Sequence, residues 1–259
     1  MSGSTTRRWL TLYLPPVIVF VAVIVIWELV TSGGGRRVIP PPSSIFRAGI
    51  AEFEPLRRSA VATAFEAIGG LAIGAVAGVV VALAAARWIT ARDILIPFGI
   101  ATSAIPIIAL APILNNWFGV LNPLSKMMMA ALLVFFPVLI NVTRGLVEVK
   151  PASLELMRSY AAGDGAVLRK VRIPNMLPFL FTALKVGATL AFIGALVGEY
   201  FGGSSEVLGR IVLTSMSAGQ YSLAWAGILI GAFAAIAAYI VISAIERVAI
   251  PWSPGVRND

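Results

Sequence analysis

The chain alternates long, nearly charge-free apolar runs with short charged connections. The runs extend from Leu14 to Val30, Ala67 to Ala86, Ile94 to Ser125, Met127 to Thr143, Ile173 to Gly198 and Ile211 to Ile245. Within them only Glu28 and Lys185 are charged. A helix that crosses a bilayer needs about 20 mostly apolar residues, and the last run is long enough for a loop plus a span. The runs are unbroken rather than alternating, so they predict helices and not the strands of a barrel. The fold expected is all-α: a polytopic membrane protein with six transmembrane helices.

Composition agrees. Of the 259 residues, 59% are hydrophobic and 12% charged, against roughly 45–50% and about 25% in a soluble domain. A soluble fold of this size has no place to hide that much apolar surface. The chain has no cysteine and no histidine. This excludes disulfides, thiolate nucleophiles, metal or haem held by those residues, and histidine base catalysis. The formal net charge of +8 sits in the connections, where it reads as orientation in a bilayer and not as a nucleic-acid surface.

Six spans place both termini on one side. With the termini inside, Arg7, Arg8, Arg87, Arg92, Arg144, Lys150, Arg158, Arg169, Lys170, Arg172, Arg247 and Arg257 face the cytoplasm. The smaller set Arg36, Arg37, Arg47, Arg57, Arg58, Lys126 and Arg210 falls outside. The positive-inside rule favours this orientation. The organisation expected is a cytoplasmic N-terminus over 1–12, an N-terminal span over 13–31, an external loop over 32–58, a membrane domain over 59–249 with an inner loop at 144–174, and a cytoplasmic C-terminus over 250–259. The first span reads as a retained anchor, because its apolar stretch is long for a cleaved signal.

Helices in lipid associate by close packing, which small residues permit. Gly70, Gly74, Gly78, Ala82 and Ala86 share one face of the second span; Gly194, Gly198 and Gly202 do so in the fifth, and Gly227, Gly231 and Ala235 in the sixth. Packing within the chain is the expectation. Pro97, Pro106 and Pro112 interrupt the third run, with Asn115 and Asn116 near its outer end. Proline opens the backbone ladder, which is tolerated beside protein or a water-filled cavity. A kinked packing helix and a pathway wall fit equally well. Glu66, Lys126 and Glu199 lie near the outer face, where an ion pair, Glu66–Lys126 or Glu199–Lys126, would ease their burial. Together, Glu66, Pro106, Asn115, Asn116, Lys126 and Glu199 are the candidate pathway residues. Lys185 is expected to snorkel to the inner face.

The inner loop from Arg144 to Arg172 is the most basic one. Pro151 suits a first helical turn and Glu155 a helix N-terminus. Leu154, Met157 and Ala161 share a face. Ala162-Gly163-Asp164-Gly165 breaks the helix, Val167, Leu168 and Val171 restart an apolar stripe, and Pro174 is expected to end it. Two short amphipathic helices across the inner face result.

This loop resembles the cytoplasmic signature of the membrane subunits of binding-protein-dependent ABC importers: Glu-Ala-Ala, three residues, Gly, nine residues, then Ile-x-Leu-Pro. Glu155 takes the Glu position, and Val171, Ile173 and Pro174 the Ile, Leu and Pro. Leu156 and Met157 replace the alanines, and Ala161 stands where glycine is expected, with Gly163 and Gly165 supplying the turn slightly later. Ala104 to Pro112, Trp117-Phe118-Gly119, Ser125-Lys126, Phe136-Pro137 and Gly198 to Gly202 resemble the nitrate, sulfonate, taurine and pyrimidine-precursor branch. Glu66, where sulfonate-type members more often carry arginine, points toward the pyrimidine or vitamin-precursor side.

The resemblance implies a type I importer fold in a bacterial plasma membrane. It implies an ABC ATPase that binds ATP and magnesium, an extracytoplasmic substrate-binding protein, and a second, identical permease subunit. It makes Leu154, Glu155, Met157, Arg158, Tyr160, Ala161, Ala162, Gly163, Asp164 and Leu168 the segment that engages the ATPase. No Gly-x-x-x-x-Gly-Lys-Ser/Thr stretch occurs, so this chain holds no nucleotide by that route and binds no cofactor of its own. The rival classes are a multispanning enzyme, which the spans lack the His, Asp or Cys clusters to support, and a channel or secondary transporter acting alone.

Overall fold

The computed structural model describes residues 3–33, 38–85, 94, 97, 99 and 106–252. Arg36, Arg37, Arg87, Arg92 and Arg257, Ala86 and most of the third apolar run before Pro106 lie outside the described residues. Every described element is helical: α1 (Gly3–Thr31), α2 (Pro42–Ala51), α3 (Phe53–Ala85), α4 (Ile107–Phe118), α5 (Pro123–Val147), α6 (Pro151–Ser159), α7 (Asp164–Val167), a π turn (Leu168–Arg172), α8 (Ile173–Phe201), α9 (Leu208–Ser217) and α10 (Tyr221–Ala249). Among the described residues, α1, α3, α5, the continuous stretch Asp164–Phe201 and α10 are long and apolar enough to cross a membrane, and α4 is a shorter apolar helix.

The bundle is built around α5. The small-residue face of α3 lies against one side of it. A Cβ added at Gly70 would stand 2.6 Å from the Met127 carbonyl oxygen, and one at Gly74 2.5 Å from that of Ala131. Gly78 meets Val138 in the same register, so α3 and α5 run parallel. On the other side Gly198 faces Lys126, Gly194 faces Ala130 and Gly187 faces Val134, so α8 runs antiparallel to α5. The core between the three helices holds Ala67, Ala130, Val134, Val138, Val142, Ala191 and Phe192. Glycine and alanine let the backbones approach, and the contact area rather than hydrophobic burial then holds helices together in lipid. The stripe expected from the sequence is therefore real and internal to the chain. Gly227 and Gly231 of α10 likewise face Val212 and Leu196.

The other faces remain apolar and open, including Phe65, Val76, Ile193, Phe233 and Ile240. α1 stands apart. No residue described in its apolar stretch is buried. It meets the rest at one end, where Trp27 packs edge-on against Trp225 at 5.7 Å. There the Glu28 carboxylate also accepts the Ser43 amide and hydroxyl at 3.0 and 2.7 Å.

Three expectations change. First, the segment 32–58 is more than a loop. It holds α2 and the first turns of α3, which begins at Phe53 rather than Ala67. Glu54 bonds Arg57 and Arg58 at 2.8–3.0 Å, extending the helix into polar sequence that hydrophobicity alone does not mark. Second, Pro174 does not end a helix: α7, the π turn and α8 are continuous. A proline ring clashes with the carbonyl four residues back, and the wide π turn just before it opens that spacing. Third, Lys185 does not snorkel free. Its ammonium lies 2.7 Å from Glu246 Oε2 and clasps α8 to α10.

Candidate functional site

Two regions carry polar chemistry, one at each end of the bundle. At the end that bears α2, Glu66 of α3, Lys126 of α5 and Glu199 of α8 converge in the interior, 5%, 1% and 0% exposed. Among the described residues Lys126 makes no ion pair within 4 Å, with either Glu66 or Glu199. Its ammonium donates to the Val120 and Asn122 carbonyls of the turn before α5. That turn is also fixed by Asn122, whose side chain accepts the Leu124 amide at 3.0 Å as an N-cap. Glu199 Oε2 accepts the Gly209 amide at 2.7 Å, and Thr63 Oγ1 accepts the neighbouring Leu208 amide at 3.0 Å. The start of α9 is thereby tied to α3 and α8, because its free N–H groups find acceptors inside the bundle.

Of the other candidate pathway residues, Asn115 is buried and accepts the Ser125 hydroxyl through Oδ1. Asn116 is exposed on α4, and Pro106 is exposed at its N-cap. The structure thus joins Glu66, Lys126 and Glu199 in one cluster, sets Asn115 inside at the α4–α5 contact, and leaves Asn116 and Pro106 on the surface.

At the opposite end lies the segment between α5 and α8. α6 starts with Pro151 in its first turn and has no buried residue. Its end is a Schellman closure: the Ala161 amide donates to Arg158 O at 2.9 Å and the Ala162 amide to Met157 O at 3.0 Å. Ala161 has φ 49°, the left-handed conformation that glycine adopts without strain. This is why a glycine is expected at that place in the signature. The turn therefore falls at Ala161 and not at Gly163 or Gly165, neither of which has a positive φ.

The faces of this segment also sort differently from the sequence reading. Leu154, Met157 and Leu168 are half-buried on the chain's own surface, and Leu168 packs against the main core. Leu156 (56%) and Tyr160 (76%) are the large apolar side chains left open, beside exposed Glu155, Arg158 and Asp164. Asn175, which sequence reasoning passed over, donates to the carbonyls of Gly145 at 2.7 Å and Glu148 at 3.1 Å, stapling the end of α5 to the start of α8. No spacing in the sequence marks it, since its partners lie on another helix. A cavity of ≈ 380 Å³ lined by Lys150, Met157, Lys170, Asn175 and Trp252 lies beneath α6.

Comparison with known proteins agrees with this architecture. The family described as binding-protein-dependent transport system inner membrane component matches residues 70–252. The chain is 34% identical over 168 residues to a probable ABC transporter permease protein of Haemophilus influenzae, covering 65% of this chain and 68% of that one. It is 32% identical over 183 residues to the formylaminopyrimidine transport permease protein ThiX of Halalkalibacterium halodurans, covering 71% and 72%. It is 27% identical over 183 residues to the taurine transport system permease protein TauC of Escherichia coli, covering 70% and 65%. A glycine-packed bundle of apolar helices, with a matching family over most of its length, makes this chain a member of the binding-protein-dependent transport system inner membrane components: a type I ABC importer permease.

Proposed function

We propose that this permease forms the transmembrane route of an ATP-driven importer. A small polar solute, of the pyrimidine or vitamin-precursor type or the nitrate, sulfonate or taurine type, is handed to it by an external binding protein. ATP and magnesium are held by a separate ATPase, and a second copy of this chain completes the membrane unit. Both termini and α6 face the cytoplasm of a bacterial plasma membrane. Pro106 at the N-cap of α4 and Asn116 on that helix line the solute's route, while Glu66, Asn115, Lys126 and Glu199 brace the wall behind it.

The observation that carries this reading is α6 itself. It is a short helix with an uncovered apolar face, Leu156 and Tyr160, carried in the chain between α5 and α8, whose facing ends the Asn175 staple ties to each other. An exposed aromatic and leucine on a short helix between the two central helices suit docking into a partner's groove. Movement of that partner would then be passed as a rigid-body displacement to α5 and α8, giving alternating access.

The test is a reconstituted transporter containing the ATPase and the loaded binding protein. Leu156→Ser with Tyr160→Ala, and separately Glu155→Lys, should cut solute-stimulated ATP hydrolysis and uptake while leaving the permease's melting temperature in place. Unchanged coupling in both variants would overturn the assignment. So would solute transport by the purified permease alone, the behaviour of a secondary transporter or channel.

A further inference from the structure

The cluster of Glu66, Lys126 and Glu199 has an imbalance that its protein partners do not resolve. Glu66 lies one turn before Gly70, which packs on Met127 and Ala130, and Glu199 lies beside Gly198, which packs on Lys126 and Met129, so both carboxylates stand at the start of α5. Among the described residues, Glu66 Oε2 and Glu199 Oε1 are buried without a hydrogen-bond partner. Of the donors nearby, the Gly209 amide serves Glu199 Oε2 and the Lys126 ammonium serves backbone carbonyls, while the Thr63 hydroxyl stands beside Glu199. Two ionised carboxylates are acceptors only, so neither can satisfy the other. Two negative charges against one positive also leave a net negative charge at side chains buried in the bundle, which is strongly unfavourable. The charged groups that act on the pair are the two carboxylates and Lys126. α9, which packs beside them, carries Arg210 half-buried next to Gly209.

We propose that Glu66 and Glu199 together bind one proton, held as a carboxylic acid hydrogen-bonded to a carboxylate. One hydronium is consumed and one water released; no bond other than that to the proton forms or breaks. The proton turns two orphan acceptors into a donor–acceptor pair and, with Lys126, makes the cluster neutral. It also links α3 directly to α8 where α9 is anchored, so loss of the proton loosens the contact that closes this end of the bundle.

The experiment is infrared spectroscopy of the full-length chain in lipid nanodiscs, with and without carbon-13 glutamate. The expected result is a protonated-carboxyl carbonyl band near neutral pH that shifts with the isotope. It should disappear in Glu66→Gln or Glu199→Gln, because an amide N–H can stand in for the shared proton. Glu66→Asp, which keeps an acid at the site, should move the band without removing it and shows that the site survives substitution. A wild-type spectrum with no such band overturns the proposal, as does a band that persists in both glutamine variants. So does a melting temperature that rises with sodium at fixed pH in the wild type but not in Glu66→Gln, which would assign the site to an alkali cation.

Discussion

Gly70→Ala adds one methyl group at the tightest point of the bundle. The new Cβ would lie 2.4 Å from Ala130 Cβ and 2.6 Å from the Met127 carbonyl oxygen, whereas carbon atoms in contact ordinarily stand about 3.5–4.0 Å apart. α3 would have to retreat by roughly 1 Å to restore that spacing. α5 cannot move away instead, because its far side is equally close: a Cβ built at Gly194 of α8 lies 2.6 Å from Ala130 Cα. Overpacking of this kind costs typically 1–3 kcal/mol, and alanine returns about 1 kcal/mol of helix propensity over glycine. The steric loss should win, since the retreat also spoils the contacts at Gly74 and Gly78, leaving a net destabilisation of up to about 2 kcal/mol. Thermal unfolding of the detergent-purified permease, followed by the fraction that remains monodisperse, reads this directly. Gly163→Ala is the control, because nothing lies within 4 Å of its Cβ and its φ is −70°. Adding Ala130→Gly to Gly70→Ala should recover part of the loss, the Met127 oxygen remaining in the way. If Gly70→Ala melts at or above the wild-type temperature, close packing on α5 is not what holds this bundle.

Three further outcomes follow from individual contacts. Ala161→Gly should relieve the left-handed residue at the end of α6 and stabilise that turn by about 0.5–1 kcal/mol, seen as slower amide hydrogen exchange over residues 157–162; Ala161→Val should do the opposite. Lys185→Met leaves Glu246 without its partner in a pair whose side chains are only 21% and 12% exposed, and should cost about 1–3 kcal/mol, somewhat less than for a fully buried pair. The double replacement Lys185→Met with Glu246→Leu should regain most of that in a melting experiment. Asn122→Ala removes the N-cap of α5 and should lower stability by about 1 kcal/mol, while Asn122→Asp should keep most of it.

The distribution of apolar and small residues along the chain was enough to define a helical membrane protein, to locate its long helices, to identify the α3 face that packs inward, and to set the break between α6 and α7. These features are local: they depend on hydrophobic run length and on the helical repeat, which any stretch of sequence displays by itself. The resemblance in the 151–174 segment likewise rested on spacing within one loop. Other features were decided only in three dimensions. Lys185 found Glu246 across 61 residues of sequence, Asn175 found carbonyls at the end of α5, and Lys126 turned to the backbone of its own turn instead of to either glutamate. Which of Leu154, Leu156 and Met157 would be left open on α6 also depended on how that helix lies on the bundle. A polar group buried in such a bundle must find a partner among whatever backbone and side chains surround it, and those surroundings exist only once the helices have packed.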